Sequence, residues 1–488
     1  MNLKSLLFSN TSARQTVVKN TFWLFAGELI GRVIRFAIVI YSARLLGAAE
    51  YGVFSYVLTI AAFVTIFSDI GISAILTRET SRNPENRQRY ISASLALKGI
   101  LILINIAIVL IAVPLFANVA GATALLPMVV FIFLFDSLRE FGFGLNRALE
   151  QMQREAIIKI VMNLAIAILG FAALWLEVSA RSLAISYAIG SGIGFLLTAW
   201  TLRNYVLPAL RSIDFSLMWP IFKQAWPIGL LGLLGAIMIN TDMVMLGWWV
   251  TPVELGYYAA AQKIILLLYI IPALISSATF PVFSRLAKVN NERFRLVLEQ
   301  SLAAVQLIAL PIVAGGLVLA TPIMHLLFGD GYLPATSAFT ILLATILIVF
   351  PSTLLSNALF AYDQQKLFMY FVGFGALSNA LFNWLLIPRF GIEGAAIATI
   401  GSQLITNFFV WRTMHKTNNF SLLNRLHVII FSSAAVAVVA YLCNRADLPV
   451  LATIFIGAVT YLGLLWLLKE PLLSDIRKGL PTEPPAES

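Results

Sequence analysis

Apolar residues in this chain run in long, nearly unbroken windows separated by short polar connections. They do not alternate as in a half-buried strand. Windows of roughly 20–28 residues predict about fourteen membrane-spanning helices. Their limits are 20–46, 51–77, 90–115, 122–147, 155–176, 182–207, 219–249, 254–284, 296–320, 334–362, 367–388, 391–414, 426–444 and 448–468. The first nineteen residues are mildly amphipathic and suit an interfacial position. The tail, residues 470–488, is polar and Pro-rich and is expected to be disordered. The pattern predicts an all-α integral membrane protein with no inserted soluble domain.

Composition agrees: 60% of the 488 residues are hydrophobic and 11% charged, against roughly 25% charged in soluble domains. A net charge of +10 would suit nucleic acid only if the bases formed an aromatic-interleaved patch. Instead they mark alternate loops, among them Arg78, Arg82, Arg87 and Arg89; Arg147, Arg154 and Lys159; and Arg285, Lys288, Arg293 and Arg295. The opposite loops hold Arg44, Arg181, Arg389 and Arg445. The positive-inside rule then predicts cytoplasmic termini and an even number of spans. Cys443 is the single cysteine and the three histidines are far apart, so neither a disulfide nor a metal site is expected. The first span is longer than a signal-peptide core and is expected to persist in the mature protein.

A repeat organises the spans. Leu46-Gly47 followed by Glu50-Tyr51-Gly52 matches Leu246-Gly247 followed by Glu254-Leu255-Gly256, with the two glutamates 204 residues apart. Ala148-Leu149 with Arg154 likewise matches Ala358-Leu359 with Lys366. A parallel repeat of six spans predicts a first lobe over 20–210 and a second over 211–415. A two-helix appendage over 416–469 follows. Substrate would sit between two rocking lobes.

Charges inside the spans carry the candidate chemistry. Glu28, Arg32 and Arg35 share one helical face, at i, i+4 and i+7. Glu28 lies roughly 12 Å, Arg32 roughly 18 Å and Arg35 roughly 23 Å from the start of span 1. Asp69, Lys98, Asp136, Arg139 and Glu140 fall at similar depth from the same side, whereas Asp242 and Lys263 lie near the opposite ends of spans 7 and 8. Ionisable groups in spans normally face protein or water. Mutual pairing competes with function at each, and Asp242 with Lys263 is expected to pair. Arg139 and Glu140 fit snorkelling equally well. Arg32, Arg35, Lys98 and Arg139 are the candidate pyrophosphate or sugar ligands, since guanidinium groups suit phosphate oxygens. Glu28, Asp69, Asp242 and Lys263 are candidates for ion coupling or gating. Asn240, Asn357, Asn379 and Asn383 suit interhelical hydrogen bonding. Hydrolase-type chemistry has no visible apparatus.

Arg44–Gly52, Ser68-Asp69-Ile70-Gly71-Ile72 and Thr77-Arg78-Glu79 resemble the N-terminal signature of the Wzx-type polysaccharide-transport flippases. This family belongs to the multidrug/oligosaccharidyl-lipid/polysaccharide exporter superfamily. Phe280–Leu286 and Ile387–Thr399 are similar to its second-lobe motifs. The resemblance implies two six-helix lobes with two extra helices. It also implies flipping of an undecaprenyl-pyrophosphate-linked oligosaccharide in a bacterial inner membrane, with no cofactor beyond a coupling H+ or Na+. Membrane lipids, a polysaccharide polymerase and chain-length machinery are the implied partners, and nucleic acid is not. Competing readings are a lipid II flippase, a cation-coupled multidrug exporter, and a membrane polymerase or ligase of lipid-linked sugars. Mid-span bases weigh against cationic drugs. Short outer loops weigh against the enzyme.

Overall fold

The computed structural model describes residues 13–116, 119–421 and 426–470. The tail from 471 onward and most of the amphipathic start lie outside them. Among the described residues every regular element is a helix. The chain divides into two compact units, residues 1–259 and 260–488.

The first unit contains α1 (Ala13–Phe67), α2 (Ile72–Arg82), α3 (Arg87–Phe116), α4 (Leu126–Ala148) and α5 (Met152–Leu176). It continues through α6 (Ala180–Thr201), α7 (Arg203–Arg211), α8 (Met218–Trp249) and the first part of α9 (Pro252–Leu268). Helix α1 holds window 20–46 and most of window 51–77, joined at Gly47, whose backbone (φ 70°, ψ 173°) lies in a region essentially reserved for glycine. The main packing runs α1 on α5, α5 on α6, and α4 on α6. Ile72, Ile75 and Leu76 of α2 meet Ile91 of α3, Phe141 and Leu145 of α4, and Ala209 of α7 in a buried cluster.

The second unit completes α9 and adds α10 (Ile270–Leu286), α11 (Asn291–Val318), α12 (Ala320–Phe328) and α13 (Thr336–Ala361). Next come α14 (Gln365–Asn418), α15 (His427–Arg445) and α16 (Val450–Leu467). Helix α14 repeats the α1 device, kinking at Gly391 with φ 53°. The last two helices pack on each other and on α11, where Tyr461 donates to the Leu307 carbonyl at 2.7 Å.

Among the described residues ten helices are long and apolar enough to cross a membrane, and the bent pair Lys19–Phe67 with Ile72–Arg82, at 43°, makes eleven. Helix α4 is outside that set because Asp136, Arg139 and Glu140 sit in its middle. Among the described residues the predicted windows lie mostly on helix, but 51–77 is broken at residues 68–71 and 254–284 at Tyr269. One limit is corrected. Window 182–207 ends early, because α6 stops at Thr201 and the chain re-enters helix as α7. Leu202, Tyr205, Val206 and Ala209 (i, i+3, i+4, i+7) turn onto the cluster under α2 and α3, so burial redirects the chain.

The two copies of the Glu-x-Gly motif touch. A Cβ on Gly52 would collide with the Pro252 carbonyl and the Gly256 nitrogen, and one on Gly256 would collide with the Ala48 carbonyl. Each glycine therefore meets the carbonyl four residues before the other, the reciprocal contact that twofold-related segments make. The 204-residue offset of the sequence repeat relates the contacting positions, 48 to 252 and 52 to 256. Neither glycine tolerates a side chain without separating the backbones. Gly52→Val and Gly256→Val should each lower stability by about 1–3 kcal/mol. The double variant should cost less than their sum, because the contact is already lost. Unfolding midpoints of the purified protein in detergent would measure this.

Candidate functional site

Small residues set the geometry of the charged region. Gly27 and Gly31 lie on the face of α1 that meets α5, where added Cβ atoms would come within 2.8 Å of Ala156 and of the Asn163 amide. This small-xxx-small spacing lets two helix backbones approach closely. Glu28, Arg32 and Arg35 lie on the flank beside that seam, roughly a quarter turn from the glycines. They share one face, as their spacing predicts, and polar groups of α5 come within their reach.

The reach is used. Glu28 accepts from Arg32 Nε at 2.6 Å through Oε1 and from Lys159 Nζ at 3.0 Å through Oε2. Lys159 lies 4.0 Å from Glu155, which is buried and receives a two-pronged bond from Arg147 at 2.9 and 2.6 Å. Five alternating charges therefore run Arg147–Glu155–Lys159–Glu28–Arg32. The loop pattern groups Lys159 with the connecting bases, but α5 begins at Met152 and carries it two turns into the helix. Arg35 donates through Nε and Nη2 to Asn163 Oδ1 at 3.1 and 2.9 Å. No carboxylate of a described residue lies within ion-pair distance of it.

Two further clusters lie close by, within electrostatic range of Arg147. Lys98, wholly buried, donates to Asp69 at 3.0 Å, and Ser73 shares that carboxylate oxygen. Asp69 sits in the break between α1 and α2, where Ile70 and Gly71 both take positive φ. Arg139 corrects the snorkelling expectation, because its side chain is buried. It pairs with Asp136 and, at 3.2 Å, with Glu140, and it contacts the Met162 sulfur. The Phe143 ring lies between Arg139 and Lys159, 5.6 and 5.9 Å from their charged atoms, a cation–π arrangement. Six bases (Arg32, Arg35, Lys98, Arg139, Arg147, Lys159) thus meet five acids (Glu28, Asp69, Asp136, Glu140, Glu155). Among these described side chains the bases exceed the acids by one.

The structure brings Glu28, Arg32 and Arg35 together and joins Asp69 to Lys98, while Arg139 keeps its own acids. Asp242, on α8, is buried and accepts from the Tyr258 hydroxyl at 2.7 Å. Lys263 is half-buried on α9. In the second unit Asn357 reaches across to Ser276 at 2.6 Å, and Asn383 donates to Asn379 at 3.1 Å. That Asn383 bond spans one turn of α14, and Asn240 likewise bonds its own helix at Ala236. Depth along the spans identifies the charges but omits Lys159, Glu155 and Asn163. The Gly27/Gly31 spacing is the available signal for the seam that holds them.

A family model described as polysaccharide biosynthesis protein matches residues 17–287, and a MatE model matches residues 227–385. The chain is 23% identical over 394 residues to the "Probable low-salt glycan biosynthesis flippase Agl15" of Haloferax volcanii, covering 78% of this chain and 80% of that one. It is 22% identical over 394 residues to the "Capsular polysaccharide biosynthesis protein CapF" of Staphylococcus aureus, covering 80% and 97% respectively. Among solved structures, the lipid II flippase MurJ in an inward closed conformation superposes with a TM-score of 0.77 at 17% identity, over 93% of this chain and all of that one. This last likeness is one of fold.

The geometry separates structural pairs from exchangeable ones. Asp69→Asn would leave Lys98 buried without its counter-charge and should destabilise by about 3–5 kcal/mol. Adding Lys98→Met should recover most of that loss, as read from denaturation midpoints in detergent.

Proposed function

Because this chain belongs to the polysaccharide biosynthesis protein family, we propose that it is a flippase. Its cargo on this reading is an undecaprenyl-pyrophosphate-linked oligosaccharide, moved from the inner to the outer leaflet of a bacterial cytoplasmic membrane. The carrying observation is the family match over residues 17–287, more than half of the chain, which spans the whole charged region of the first unit. The flippase and capsular-polysaccharide names of the relatives support the same reading, as does a multi-pass helical architecture.

Arg35 is the primary ligand for the pyrophosphate in this proposal. A guanidinium has five N–H donors, and Asn163 engages only Nε and Nη2. Arg32 is the second ligand. Its pair with Glu28 is about 40% exposed on both sides, so exchanging that carboxylate for a phosphate oxygen costs little. Glu28 would not be stranded, because Lys159 holds its other oxygen. Lys98 and Arg139, buried beside their own acids, fit a supporting role better than a ligand role.

Translocation by alternating access of two lobes belongs to the same proposal, with a proton or sodium ion coupled through Glu28, Asp69, Asp242 or Lys263. So do cytoplasmic termini, as the loop bases favour, a carrier rather than an enzymatic role, and hand-over to a polysaccharide polymerase. The MatE match favours a cation-coupled exporter as the second reading. A surplus base suits an anionic cargo better.

Arg35→Gln should slow flipping of a fluorescent lipid-linked oligosaccharide in proteoliposomes by about tenfold or more, as expected for a lost charge-assisted bond. Unfolding should be little changed, and Arg35→Lys should retain part of the rate. Wild-type flipping by the Arg32→Gln/Arg35→Gln double variant would overturn the assignment.

A further inference from the structure

The connection between α6 and α8 has two faces of different character. Inward, Leu202, Tyr205, Val206 and Ala209 seat α7 on the buried cluster of α2 and α3. Gln88 of α3 bonds the Tyr205 carbonyl at 3.1 Å, and Arg89 bonds Asp214 at 2.8 Å, so the segment is tied down at two further points. Outward, Leu207, Leu210, Phe215 and Trp219 are each more than half exposed. Arg203 and Arg211 bracket the exposed leucines, and Lys223 lies one turn beyond Trp219, all three exposed. The Arg203 guanidinium sits 5.8 Å from the ring of Trp200, itself largely exposed. Asp214 is the only acid between residues 203 and 223. Hydrogen bonds from Ser216 and Arg89 hold its carboxyl below the ordinary range, so it stays ionised and occupied.

A water-facing loop would not expose four large apolar side chains, and a buried one would not expose three bases beside them. Such a mixed face suits the boundary between headgroups and acyl chains, with tryptophan at headgroup level and bases against lipid phosphate. The flanking helices are both long and apolar enough to span a membrane, so the connection emerges at a bilayer surface. We propose that residues 203–223 form an anionic-phospholipid site, with Leu207, Leu210 and Phe215 seated among acyl chains, Trp219 at headgroup level, and Arg203, Arg211 and Lys223 on headgroup phosphates. Because α7 packs on α3 and shares a buried cluster with α2, this site ties the helices carrying Asp69's neighbours and Lys98 to the charge of the surrounding leaflet.

The test uses the full chain with Cys443→Ser and Leu210→Cys, labelled with a fluorophore and reconstituted in vesicles of phosphatidylcholine and phosphatidylglycerol. One lipid at a time carries brominated acyl chains. Each basic residue at a membrane surface contributes about 1 kcal/mol, a factor of about five. Brominated phosphatidylglycerol should therefore quench at least about fivefold more effectively per molecule than brominated phosphatidylcholine at low salt. The preference should fall as salt rises. It should vanish in Arg203→Gln/Arg211→Gln/Lys223→Gln, where quenching by phosphatidylcholine persists because the apolar face still docks. Equal quenching by the two lipids in the parent protein would overturn the proposal, as would a label shielded from both lipids and open to aqueous iodide.

Discussion

A charge held among apolar helices needs a partner, and the first unit is organised around supplying partners at close range. An ionised side chain in a membrane is costly unless it meets an opposite charge, a polar group or water. The supply depends on how near two helix axes can come, and glycine decides that. Gly27 and Gly31 bring α1 onto α5, and only at that separation do Glu28 and Lys159, or Arg35 and Asn163, fall within bonding distance. With bulkier residues there, the same charges would lie on the same helices without touching.

The Gly52–Gly256 contact applies the same rule to a different end. No charge is matched there. What is matched is backbone to backbone, each motif glycine against the carbonyl one turn before its counterpart. A motif repeated for this purpose must keep its glycine in both copies, because a side chain in either one blocks the other. This explains physically why the Glu-x-Gly spacing stands out in a repeat otherwise blurred by interchangeable apolar residues. It also fits the assignment of α8 and the start of α9 to the first compact unit, since their glycines seal against α1 and the α1–α2 break.

Much of this was legible from residues alone, and the illegible part has one cause. Apolar windows located the helices, and the i, i+4, i+7 spacing placed Glu28, Arg32 and Arg35 on one face. Neither states which helix lies opposite. Lys159 and Asn163 are 131 and 128 residues from their partners, and no local pattern links them. Arg139 shows the same limit. A one-dimensional depth made it a snorkelling candidate near a helix end, whereas Met162 of α5 and Phe143 close around it. The turn at Leu202 escaped for a related reason: hydropathy continues past it, and only the buried cluster below explains why the chain bends.

The leftover base is where structure and the proposed transport role meet. A fully matched network would hold its helices firmly but offer nothing to an incoming anion. A network with several unmatched bases would be unstable when empty. Here a single guanidinium is matched by an amide instead of a carboxylate. An amide satisfies its hydrogen-bonding needs without cancelling its charge, so Arg35 is tolerated at rest and still attractive to phosphate. Arg32 differs in kind, since its carboxylate must be displaced, yet that carboxylate keeps Lys159. On the proposed role the two bases would thus offer the cargo one ready contact and one exchangeable contact, and neither step would strand a buried charge.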